Sequence, residues 1–176
     1  MPEPGLLELT SFCFSCISLP VYILFIIILI KYRKFEPFNS AFFRISISLG
    51  VADVKMLLIS YFVYKFRSWN WLSIRSFYRV HPTGIIPKFC LVSVWLLGNA
   101  QTYGIILLSV NRFCAVVYPF KQIWTSKVTV GAIVLQWCAS LVSVSPLFFS
   151  AFRFDYENSS GEVLLNYESL TLERVL

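Results

Sequence analysis

The chain has 176 residues, 57% of them hydrophobic and 14% charged, with a formal net charge of +6. A soluble domain carries about 25% charged residues, so this chain holds too little polar material to cover its own surface in water. A cytosolic enzyme, a secreted disulfide scaffold and a disordered tail are all excluded on that ground. The basic residues are scattered between apolar blocks rather than gathered into the stripe that nucleic acid requires, so no nucleic-acid partner is expected. One histidine, His81, and nine acids leave little for metal or triad chemistry. The five cysteines, Cys13, Cys16, Cys90, Cys114 and Cys138, lie in or beside apolar blocks and are not read as a zinc site. The expectation is a membrane protein that is not an enzyme and uses no metal or cofactor.

Residues 9–30 form a run of 22 without a charge, long enough at 1.5 Å per residue to cross a hydrocarbon layer of ~30 Å. A cleaved signal peptide fits poorly: no basic residue precedes the run and no small-residue cleavage site follows it. Lys31, Arg33 and Lys34 follow instead, as a stop-transfer flank. Pro20 is expected to kink this helix without ending it. A short turn around Pro37 leads to a second span at 41–64, which is weaker because Arg44, Asp53 and Lys55 fall inside it. Residues 65–88 form a loop with Trp69 and Trp71, which suit an interfacial belt. A third span is expected at 89–111 and a fourth at 128–152, neither containing a charge. Residues 1–152 thus read as a transmembrane domain and 153–176 as an extracellular tail, too short and polar to hold a fifth span. The predicted fold class is all-α, a polytopic membrane helix bundle.

Orientation is not settled by the total count. With the N-terminus outside, seven basic residues lie inside (Lys31, Arg33, Lys34, Arg44, Arg112, Lys121, Lys127) and seven outside (Lys65, Arg67, Arg75, Arg79, Lys88, Arg153, Arg174). The flanks of the first span are lopsided, with no Lys or Arg before it and three just after, and that bias usually dominates. An outside N-terminus follows. It also places Asn158, in the sequon Asn158-Ser159-Ser160, where a glycan can be added.

Three local patterns fall at matching depths. At the inner end of the third span, Asn111-Arg112-Phe113-Cys114-Ala115-Val116-Val117-Tyr118-Pro119-Phe120 resembles the rhodopsin-like G-protein-coupled receptor signature D-R-Y-x-A-x-V-x-P-L. In the second span, Ser48-Leu49-Gly50-Val51-Ala52-Asp53 resembles that superfamily's S-L-A-x-A-D. In the fourth, Trp137 and Pro146 match its usual tryptophan and distal proline. The stretch 101–124, with Asn111-Arg112 followed by Ile123-Trp124, looks like the nematode serpentine chemoreceptors of the gamma superfamily, gamma or V class. The resemblance covers about residues 9–152, four spans of a seven-span fold, and residues 153–176 correspond to the start of the second extracellular loop.

That resemblance implies a plasma-membrane chemosensory receptor that detects an external small molecule and couples to a heterotrimeric G protein. The chain reads as a truncated form, with another receptor chain as a further candidate partner beside the lipid bilayer. The alternative is a stand-alone four-span scaffold, adhesion or channel-subunit protein. The resemblance assigns G-protein coupling and activation to Asn111, Arg112, Phe113 and Pro119. Without it, Arg112 reads as a membrane anchor among lipid headgroups. Asn111 replaces the usual acid, and a neutral amide restrains an arginine less than a charge-assisted pair does.

Asp53, about 18 Å into its span, sits near the bilayer centre, where a carboxylate must face the bundle interior. The resemblance makes it an ion-linked acid, with Gln101 sharing its pocket; a purely structural buried acid is the plain alternative. Lys55 lies about 200° round the helix from Asp53. With Asn99 it is a candidate lining of an outward ligand cavity, against an internal ion pair for Lys55 and interhelical hydrogen bonds for Asn99 and Gln101. Many rhodopsin-like receptors tie the outer end of the third span to the second extracellular loop by a disulfide. Residues 153–176 hold no cysteine, so Cys90 reads as a buried thiol, with Cys13 or Cys16 as alternative partners.

Overall fold

The structure is a computed structural model that describes residues 6–36, 38–61, 80–81, 83–119, 123–150, 152–156 and 163–167. Four long helices dominate it: α1 (Leu6–Tyr32), α2 (Ala41–Ser60), α3 (Ile85–Val117) and α4 (Ser126–Val144). Three stretches are long and apolar enough to cross a membrane: Leu9–Tyr32, Ile85–Val117 and Ser126–Phe148. α2 is the exception because Arg44, Asp53 and Lys55 dilute its hydropathy. It is nevertheless the hub of the bundle, packing against α1, α3 and α4.

The helix ends follow from local chemistry. α1 continues through Pro20, since a lipid-embedded helix gains nothing by opening its remaining backbone bonds to hydrocarbon. α3 opens at Gly84, whose φ of 99° lies in the left-handed region that a side chain disfavours. Pro87 sits in its first turn, where a missing N–H costs no helical bond. No breaker follows until Pro119, so α3 runs 33 residues rather than the 23 expected, carrying Arg112 to Val117 in helical form. At roughly 50 Å it outreaches the hydrocarbon at both ends. α4 starts with the Thr125 hydroxyl accepting from the Val128 amide at 3.4 Å. It stops at Val144 instead of 152 and gives way to a 3-10 turn, Ser145–Phe148, because Pro146 has no N–H to bond the Val142 carbonyl, which accepts from Ser145 instead.

Beyond that turn, β1 (Phe152–Tyr156) pairs antiparallel with β2 (Val163–Tyr167), Phe152 opposite Tyr167 and Tyr156 opposite Val163. The tail was expected to hold no fifth span, and these strands are far too short to be one. Its sequence Phe152-Arg153-Phe154-Asp155-Tyr156 alternates aromatic and charged residues with the two-residue period of a strand. The pair is short, and the architecture remains an all-α membrane helix bundle. Asn158 and the second-span positions 62–64 lie outside the described residues.

Close helix approach depends on two glycines. A Cβ on Gly50 would lie 2.9 Å from Ile26 Cδ1, and one on Gly104 would lie 2.8 Å from Gln136 Nε2 and 3.0 Å from Leu49 Cδ1. Small residues at such crossings let helices gain dispersion contacts where lipid removes the hydrophobic drive. Away from these seams, large apolar side chains point outward: Leu24, Phe25 and Ile27 on α1, Ile105 and Ile106 on α3, Leu135 and Val142 on α4. That is the surface lipid tails would cover.

Candidate functional site

The interior polar residues form two linked clusters. Asp53 on α2 is half-buried, and both carboxylate oxygens are engaged. The Tyr22 hydroxyl of α1 donates to Oδ2 at 2.7 Å, and the Gln101 amide of α3 donates to Oδ1 at 2.7 Å. An ionised carboxylate only accepts, so the NH2 of Gln101 must face it. Three helices are thereby fastened at one charge, by charge-assisted bonds rather than neutral ones. Of the residues the sequence singled out, Asp53 and Gln101 come together; Tyr22 was missed, because in an apolar run a tyrosine reads as another aromatic. An intramembrane acid needing a donor from each neighbour was the signal that could have found it.

The second cluster centres on Gln136 of α4, which is 4% exposed. Its Nε2 donates to the Ala100 carbonyl at 2.8 Å, and its Oε1 accepts from Ser48 Oγ at 3.3 Å. Ser48 in turn accepts from the Trp137 indole at 3.1 Å. α2, α3 and α4 are thus joined through one amide, one hydroxyl and one indole. Trp137 and Ser48 belong to the patterns noted in the sequence. Gln136 was not singled out, although an amide inside an uncharged run must find partners within the bundle.

At the inner end of α3, Asn111 and Arg112 face different surroundings. Asn111 is buried, lining a groove of about 800 Å³ between α2, α3 and the start of α4, together with Arg44, Cys114, Pro119 and Trp124. Arg112 is exposed and its guanidinium lies over the Phe42 ring of α2, 4.8 Å from the centroid. A cation–π contact thus occupies the arginine where its neighbour supplies no acid. Phe113 is 63% exposed and points out of the bundle. Arg44 bridges elements, donating to Ser126 Oγ at 2.5 Å and to Asn39 Oδ1 at 2.6 Å.

The outer half is less concentrated. Lys55 is exposed and Asn99 half-buried, and no hydrogen bond joins them among the described residues. Neither lines the inner groove or the second cavity, about 580 Å³ of almost wholly apolar space between α1 and α2 bounded by Phe14, Tyr22, Asp53 and Leu57. α3 is tied to the outer end of α4 by the Tyr103 and Ser143 hydroxyls at 2.8 Å, from the middle of α3, and to the 3-10 turn by Lys88 donating to the Phe148 carbonyl. Cys90 is buried near this end, while Cys13 and Cys16 are exposed on α1, and no disulfide joins the cysteines among the described residues. No group of His, Cys, Asp or Glu suited to a metal occurs among the described residues.

Comparison with known proteins converges with this arrangement. Residues 11–174 match the family of serpentine type 7TM GPCR chemoreceptors, Srv. The chain is also 39% identical over 161 residues to serpentine receptor class V-1 of Caenorhabditis elegans, covering 90% of this chain and 51% of that receptor. It therefore spans about half the length of the curated relative it matches. With an apolar helix bundle, an interior polar seam and Asn111-Arg112 at the end of α3, the chain belongs to the Srv family of serpentine chemoreceptors and is an integral membrane protein.

Proposed function

We propose that the protein acts in a plasma-membrane chemosensory receptor, with its N-terminus outside, that binds an external small molecule and activates a heterotrimeric G protein. The observation that carries this reading is the position of Arg112, one turn and a half before the end of a continuous α3 and held by a neutral ring. A cation–π contact at an exposed site is worth about 0.5–1 kcal/mol, little enough for a partner protein's acceptors to displace. Asp53 and the Gln136 cluster are positioning groups in this account: they fix α1, α2 and α4 around α3, so that movement of one helix is felt by the others. The basic flank after α1 supports an intracellular α1–α2 turn.

The experiment is a chimera in which this chain replaces the aligned part of the class V-1 receptor. Membranes carrying it are exposed to a panel of small organic molecules, and guanine-nucleotide exchange on added G proteins is recorded. Ligand-dependent exchange is expected. A chimera that reaches the cell surface but never promotes exchange, under conditions where the class V-1 receptor does, would count against the reading.

A further inference from the structure

The groove between α2, α3 and α4 has a chemical bias that G-protein coupling does not explain. Among the described residues, every charged or strongly polar side chain along its wall is a donor or neutral, and no carboxylate lines it. Arg44 uses two of its five N–H groups on Asn39 and Ser126, leaving three. Ser126 accepts from Arg44, so its own proton is available. Ser40 caps α2 in position only, with no side-chain bond to the first-turn amides, which therefore keep their partial positive charge. Most telling is Trp124: its indole N–H is buried and has no hydrogen-bond partner among the described residues. A buried donor without an acceptor is costly and points to a missing partner.

We infer that this groove binds a phosphate group, one carried by an anionic lipid headgroup or by a soluble phosphate compound at the same surface. A phosphate supplies several acceptor oxygens and negative charge, which is the complement of Arg44, Ser126, Trp124 and the first turn of α2. The groove volume of about 800 Å³ falls within the range of small-molecule sites, about 300–1,000 Å³. The inner segments carry seven basic residues against one acid, Glu36, so long-range attraction acts in the same sense. The inference uses the proposed orientation only in counting the inner charges; its chemistry is independent of the chemoreceptor reading.

The test measures binding of four probes to the detergent-purified full chain by thermophoresis: short-chain phosphatidylinositol bisphosphate, inositol trisphosphate, inorganic phosphate and short-chain phosphatidylcholine. At least one of the first three is expected to bind about ten-fold more tightly than phosphatidylcholine. Preference for the lipid over the soluble phosphates assigns the site to a headgroup, and equal or tighter binding of a soluble one assigns it to a free compound. Trp124→Phe removes the unpartnered N–H together with part of the indole's volume, so phosphate binding should weaken about three- to ten-fold, while the unliganded melting temperature reports the lost packing separately. Arg44→Gln should weaken binding further; where it fails to fold, Trp124→Phe decides alone. No preference for any phosphate probe, or unchanged binding in Trp124→Phe, would each overturn the proposal.

Discussion

At the scale of single residues, the bundle separates strong from weak bonds. Tyr22 and Gln101 donate to a carboxylate, and hydrogen bonds to charged groups contribute about 1.5–3 kcal/mol. Ser48 mediates neutral bonds, which average about 0.6 kcal/mol between membrane helices. Tyr22→Phe is therefore expected to destabilise the detergent-purified protein more than Ser48→Ala, in a titration with sodium dodecyl sulfate. The reverse order would show that Asp53 draws its solvation from elsewhere. The glycines rank as well. Gly50→Ala meets the end of Ile26, which can rotate, whereas Gly104→Ala meets a Gln136 amide pinned by two bonds. Gly104→Ala should cost about 2 kcal/mol, Gly50→Ala under about 1 kcal/mol. The Gly104→Ala, Gln136→Ala pair should cost less than the sum of its parts. That Asp53 needs interior partners is legible in the sequence. Which tyrosine and which amide answer it depends on helix rotation, which the spacing of apolar residues does not define when every face is apolar.

At the scale of elements, the centres of the helices were readable and their ends were not. An uncharged run marks the part of a helix in hydrocarbon, but the helix continues until something stops it. On α3 that is Gly84 at one end and Pro119 at the other, not the first charge. On α4 the stop is Pro146, inside the uncharged run. The strand pair is legible in the alternation of residues 152–156, a two-residue period that membrane-spanning length and hydropathy do not register. The length of α3 leads to a direct prediction. Ile85 and Val116 are 84% and 80% exposed, and 31 residues of helix separate them by roughly 46 Å, more than the ~30 Å hydrocarbon. In a background without native cysteines, Ile85→Cys should react with an impermeant maleimide on intact cells. Val116→Cys should react only after permeabilisation. Equal reaction of both on intact cells would mean that α3 does not cross.

At the scale of the whole molecule, the least membrane-like helix is the one at the centre. α2 fails a simple hydropathy criterion because of Arg44, Asp53 and Lys55, yet two of those charges are spent on neighbouring elements. Apolar α1 is at the edge and exposes the most hydrocarbon. Polarity in a membrane bundle thus reports interior position, and family membership could be read from the sequence because the polar positions carry the recurring motifs. The proposed orientation predicts one glycan on Asn158 when the chain is made in microsomes, removed by glycosidase and absent from Ser160→Ala. A chain never modified, with both termini cleaved by cytosolic protease, would reverse the topology.

The central claim is that Arg112 serves signalling rather than anchorage, and the chimeric receptor tests it with two variants measured in parallel. Arg112→Ala should lower ligand-dependent nucleotide exchange by about ten-fold or more, the equivalent of about 1.4 kcal/mol, while surface expression stays near that of the parent. Phe42→Leu removes the ring that occupies the guanidinium and should leave exchange intact or raise its basal level. Equal loss of expression and exchange in Arg112→Ala, or loss of exchange in Phe42→Leu matching that of Arg112→Ala, would contradict the account and return Arg112 to the role of a membrane anchor.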